Sequence, residues 1–178
     1  MLKIYLTDLA AYNCGALVGK WITMPMEEIE LHQVINEVLS EGEIAVNGEN
    51  HEEWFISDFE WENIDLFDVE EYENIFELNS KLLLLQELDP NQMKRVKFIL
   101  DEQYTYDIED AILKAEDVIV YENTTLEDVA YDLIQDCYDI ESLPSIITTN
   151  IDYSGIASDL EMDGNYYIVD DDIFEYLG

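Results

Sequence analysis

Asp128, Asp132 and Asp136 follow one another at four-residue spacing in a segment that opens at Thr125. On a helix each step rises about 6 Å, so the three carboxylates form one regular line. Glu70, Glu73 and Glu77 make a similar stripe in the middle of the chain. Like charges at this spacing destabilise a helix by a few tenths of a kcal/mol per pair. A chain selected for stability alone would interleave lysine. Here 43 Asp and Glu stand against 7 Lys and Arg, a formal net charge of −36 over 178 residues. Two readings stay open for each stripe: an ordinary solvated face, or a negative array whose purpose is to meet a basic partner.

Other chemistries are poorly served by the sequence. Asp159, Glu161, Asp163 and Gly164, followed by Asp170, superficially match a calcium-binding loop, glycine at its sixth place included. Glu stands where Asp or Asn is usual at the third place, and Asp170 stands where a bidentate Glu belongs. Carboxylate pairs occur everywhere, so none singles out a glycosidase, which needs two at a set separation in a cleft. His32 lies among Leu31, Val34 and Ile35 as a helix-surface or boundary residue, and His51 falls in a polar loop. Neither is near a Cys or Ser motif, and no glycine loop for phosphate is present. The expectation is no enzyme, no metal and no cofactor. Lys94, Arg95 and Lys97 gather three of the seven bases, and pairing with neighbouring acids explains them more simply than a functional patch.

Composition narrows the partners. Apolar residues make up 48% of the chain and aromatics 12%, too many for a disordered acidic tail, so real cores are expected. So many large Ile, Leu, Tyr and Phe residues also argue against salt adaptation as the source of the charge. A surface this negative repels nucleic acid and anionic lipid. No apolar run reaches the length of a membrane span, and Met1-Leu2-Lys3-Ile4-Tyr5 lacks the layout of a signal peptide. Cys14 and Cys137, far apart and outside any CxxC pattern, are expected as reduced, buried residues of a cytoplasmic protein.

The elements that must carry these residues follow from periodicity. Leu2 to Thr7, Ala16 to Met24 and Glu53 to Trp61 read as strands, with a helix over Glu27 to Leu39. A long helix is expected from Val69 to about Leu88, then one from Met93 beyond the Asp89-Pro90-Asn91 break, and another around Ile108 to Ala115. Val118 to Tyr121 and Tyr166 to Val169 read as strands. Between them Leu126, Val129, Ala130, Leu133, Ile134 and Cys137 mark a helix, with Thr125 as N-cap and Asp128 three residues on. Pro144 and Ser145 open a further short helix. Residues 49 to 154 contain no glycine, which favours helices there. The expected fold is α+β in three small modules, 1–61, 62–115 and 116–178, with a helical middle. The last module holds 17 acids and no Lys or Arg.

Charge density adds an expectation of shape. Duplex DNA carries one charge per about 1.7 Å, so 36 charges correspond to roughly 60 Å of duplex. A compact chain of this length would be only about 40 Å across. A protein copying that density would be elongated, and a dimer would double the copied length to roughly 120 Å.

The chain also resembles a known family. Ile4-Tyr5-Leu6-Thr7-Asp8-Leu9-Ala10-Ala11-Tyr12-Asn13-Cys14-Gly15, continuing to Gly19-Lys20-Trp21, is similar to the opening of the ArdA antirestriction proteins. Trp54-Phe55-Ile56-Ser57-Asp58-Phe59-Glu60 resembles that family's third strand. Asp152-Tyr153 followed by Ala157-Ser158-Asp159-Leu160 resembles its antirestriction segment, and Asn165-Tyr166-Tyr167-Ile168-Val169-Asp170 fits its end. The resemblance implies an acidic, homodimeric DNA mimic encoded on a mobile element. Such a mimic occupies the DNA-binding cleft of a type I restriction-modification methyltransferase or restriction complex, blocking modification and cleavage. A carboxylate array can displace DNA from a Lys/Arg-lined cleft without base readout. Composition alone equally admits another basic partner, such as a histone-like protein or a CRISPR effector.

Overall fold

Leu2, Ile4 and Leu6 are wholly buried, and their alternation makes β1 (Leu2–Asp8) the centre of a three-stranded antiparallel sheet. β2 (Gly19–Met24) and β3 (Trp54–Trp61) flank it in the order β2-β1-β3. A second antiparallel sheet near the C-terminus has the order β4-β6-β5, from β4 (Val118–Tyr121), β5 (Tyr166–Val169) and β6 (Asp172–Tyr176). The α+β class is therefore as expected. These elements come from a computed structural model that describes residues 1–48 and 50–178. It resolves into two compact units, Met1–Ile112 and Leu113–Gly178.

In the first unit Asp8 ends β1 and caps α1 (Leu9–Asn13), its Oδ1 accepting from the Ala11 amide at 2.8 Å. α2 (Glu28–Val46) continues beyond the expected end at Leu39 and stops at Asn47, whose φ of 51° closes the helix in the left-handed region. Gly42 does not break α2. A Cβ there would overlap the Asp8 carboxylate, so glycine is what lets this helix approach the sheet. α3 (Ile75–Gln86), α4 (Pro90–Asp101) and α5 (Ile108–Lys114) supply the helical character expected for 62–115. α4 begins with a capping box, Asp89 accepting from the Gln92 amide while the Gln92 side chain accepts from the Asp89 amide.

The helix expected from Val69 to Leu88 is corrected. Residues 69–74 are not helical, and α3 starts only after Asn74, whose Oδ1 accepts from the Phe76 and Glu77 amides. The preceding segment is held elsewhere. Val69 is buried, and the Ile56 amide of β3 donates to the Glu71 carbonyl at 2.8 Å. Backbone pairing with β3 and the Asn74 cap together outweigh the helical spacing of Val69 and Tyr72.

In the second unit α6 (Leu126–Cys137) and α8 (Tyr153–Asp163) lie against the sheet, with the short α7 (Ser145–Thr148) between them in sequence. Leu126, Val129 and Ala130 of α6, Ala157 of α8 and Ile173 of β6 form the core. The calcium-loop reading fails here. Asp159, Glu161 and Asp163 belong to α8, Gly164 terminates it at φ 80°, and Asp170 turns the β5–β6 hairpin at φ 54°. Both cysteines are exposed, not buried: Cys14 is the C-cap of α1 and Cys137 closes α6.

Candidate functional site

The expected helix from Thr125 is present, and its start explains one of its acids. Thr125 Oγ1 accepts from the Asp128 amide at 3.2 Å, while Asp128 Oδ2 accepts from the Thr125 amide at 3.3 Å. The apolar face of α6 is buried, so the positions between must face water. Asp128, Asp132 and Asp136 are all exposed. Among the described residues neither Asp132 nor Asp136 has a hydrogen-bond or ion-pair partner, so both present acceptor-only groups to whatever approaches. Sequence reasoning passed over Glu127, Asp139 and Glu141, which are also exposed, in α6 and in the turn that follows it. Nothing in their local spacing marks them; only the one-sided composition of the segment does.

Across residues 116–178, fifteen of the seventeen acids are exposed. The other two are occupied by structure. Asp172 accepts from the Asn123 amide at 2.8 Å. Glu175 accepts from the hydroxyls of Tyr121 and Tyr166, each at 2.8 Å. Partial burial, reinforced by the bond to Glu175, pushes the Tyr121 hydroxyl up to about 12, and the same causes raise Tyr166. These tyrosines stay protonated and clamp the carboxylate across the sheet.

The 152–160 segment divides its labour. Asp152 caps α8, its Oδ1 accepting from the Gly155 amide at 2.9 Å. Tyr153 rests on Tyr131 of α6 with ring centres 5.1 Å apart, and its hydroxyl accepts from Gln135 Nε2 at 3.4 Å. Leu160 is packed against the core, whereas Asp159 is exposed. Three of the four residues thus join α8 to α6 or start it; Asp152, itself exposed, and Asp159 both add to the external charge.

In the first unit the expected stripe is not one. Glu70 and Glu73 precede α3, and only Glu77 lies on it. Glu70 is exposed, Glu73 is half-buried and paired with Lys81 at 3.2 Å, and Glu77 accepts from Asn74 Nδ2 at 3.0 Å. Of the clustered bases, Lys97 pairs with Asp101 at 2.9 Å, four residues along α4. Lys20 Nζ donates to Glu37 at 2.9 Å, and that bond raises the lysine's pKa. His51 lies in a loop, as expected, but its side chain turns inward. Its Nδ1 lies 2.6 Å from Oδ2 of the fully buried Asp8, and its ring is itself buried. No sequence signal joins these two residues, 43 positions apart.

No helix among the described residues is long and apolar enough to cross a membrane. No curated protein matches the chain. One family model does, that of the antirestriction protein ArdA, and it spans residues 4–175. With that match running from β1 into β6, the chain belongs to the ArdA antirestriction family.

Proposed function

We propose that the protein is a DNA mimic that occupies the DNA-binding cleft of a type I restriction-modification enzyme and blocks both modification and cleavage. The observation that carries this reading is the run of fifteen exposed carboxylates in a stretch of 63 residues holding no Lys or Arg. Family membership supplies the antirestriction role; the charge supplies a physical means. Lys and Arg side chains that grip phosphates accept carboxylates in the same way, through charge-assisted hydrogen bonds. Contacts to a backbone charge carry no sequence information, so one inhibitor serves enzymes of different specificity. The protein acts stoichiometrically rather than as an enzyme, in the cytoplasm where such enzymes work, and its gene travels on a mobile element.

The functional form is a homodimer in this reading. Tyr138, Leu143, Ile146 and Ile147 are exposed apolar residues within ten positions of one another, on and before α7. Apolar side chains left exposed this close together in sequence support an interface between copies in this segment. Plating of unmodified phage on cells with a type I system tests the function. Expression of the protein should raise plating toward the level on restriction-deficient cells, and should also block methylation of phage that escapes. Unchanged restriction at confirmed expression would refute it.

A further inference from the structure

β2 is an edge strand, and its open side is not a plain acidic surface. A cleft of about 1200 Å³ lies between β2, the first half of α2 and α3. Lys20, Trp21, Ile22 and Thr23 all line it. A cleft over a sheet's face would meet every second residue of a strand, so four in succession place this one along the edge. No strand among the described residues pairs with that edge. The cleft is held open in a defined form by Asn79 of α3, which is buried and accepts from the Met26 amide at 3.0 Å while donating to the Met26 carbonyl at 2.9 Å.

Its lining is apolar within and acidic at the rim. Trp21 and Leu83 are 46% and 47% exposed, and Val34 and Phe76 are half-buried. Glu27, Glu28, Glu30 and Glu77 line the same cleft and are exposed. The two lysines in it are already engaged, Lys20 with Glu37 and Lys81 with Glu73. Met1 also lines the cleft, its amino group 3.9 Å from Glu62, and His32 lies 3.8 Å from Glu28.

We propose that this cleft takes an extended cationic segment of a partner protein, added as a fourth strand along β2. Main-chain hydrogen bonds to the strand edge would supply affinity, Lys or Arg side chains would reach the glutamates, and an apolar side chain would rest on Trp21 and Leu83. A second copy of this chain is the poorer occupant, because it would bring the same four glutamates against themselves. The inference goes beyond charge mimicry and does not depend on it: it needs a strand edge and an apolar floor, which a phosphate-like array does not use.

The test titrates the full chain with a blocked octapeptide alternating Arg and Val, followed by tryptophan fluorescence and backbone amide NMR. The expected result is saturable one-to-one binding with amide shifts centred on Lys20 to Thr23. Glu30→Gln should weaken binding about two- to fivefold, the share of one exposed charge pair. Leu83→Ser should weaken it without altering the fold's spectrum. N-methylation of alternate peptide amides, which keeps every charge but removes strand pairing, should cost about tenfold or more. Equal binding of the N-methylated peptide, shifts spread over the whole acidic surface, or β2-mediated self-association of the protein would overturn the proposal. Neither DNA nor a restriction enzyme is in the assay, so its outcome is separate from that of the antirestriction reading.

Discussion

Replacing Asp132 by Asn removes one charge from the middle of α6, and with it two repulsions, to Asp128 and to Asp136 four residues either side. Each such pair is unfavourable by about 0.2–0.5 kcal/mol, so the substitution should stabilise the helix by about 0.4–1 kcal/mol. Nothing offsets this. Asp and Asn have similar helix propensity, the residue is exposed and unpartnered, and the mid-helix position is beyond reach of the terminal dipole charges. For a chain of 178 residues that is a rise in Tm of about 1–4 °C. The gain should fade toward 1 M salt, where screening acts within about 3 Å. Inhibition should move the other way. One exposed charge contributes up to about 1 kcal/mol at an interface, so the potency should fall about two- to fivefold. Thermal unfolding at low and high salt, beside inhibition of a type I methyltransferase, reads both effects on one variant. A lowered Tm, a gain indifferent to salt, or complete loss of inhibition in a folded variant would refute the reasoning, the last by pointing to a single essential contact.

Three further outcomes follow from other parts of the molecule. Gly42→Ala should destabilise the first unit by about 2–4 kcal/mol in urea unfolding, since the added methyl displaces the buried Asp8 carboxylate from His51; a change within 0.5 kcal/mol would show that α2 can shift freely. The raised Tyr121 pKa means that the folded state keeps a proton the unfolded chain gives up. Its contribution is therefore intact below pH 10 and is lost as pH climbs toward about 12. Tyr121→Phe should accordingly lose less stability than the parent over that interval, and identical alkaline profiles would contradict the assignment. Ile146→Asp places a charge on a residue that is 75% exposed, so it should leave circular dichroism unchanged while shifting sedimentation equilibrium from dimer toward monomer; an unmoved dimer would remove α7 from the interface.

How much of this was legible in the sequence depended on whether the deciding contacts were local. α6 could be read almost to the residue, because the Thr125–Asp128 capping box and the buried Leu126, Val129 and Ala130 all lie within one helix. β1 was legible from its short-range alternation and β4 from its short β-branched apolar run. The segment 69–74 was not, since its state is set by the Ile56 amide on a strand far upstream. β6 hid its period behind Asp172 and Glu175, two half-buried acids hydrogen-bonded to partners from elsewhere in the second unit. Gly42 reads as punctuation in one dimension and as a contact point with Asp8 in three. At the candidate site, the line of Asp128, Asp132 and Asp136 was visible from spacing alone. The caps formed by Asp152 and Asn74, and the Tyr121–Glu175–Tyr166 clamp, needed the fold to show which acids and amides are spent on structure.

The central claim is that the carboxylates replace DNA. The direct measurement is displacement of a fluorescent duplex from a purified type I methyltransferase by the protein, repeated across a salt series. The account predicts full, reversible displacement, with excess duplex restoring the DNA-bound enzyme. It also predicts an affinity that falls as salt rises, because opposed charged surfaces bind partly through released counterions. A ternary complex that retains the duplex, or an affinity indifferent to salt, would contradict it.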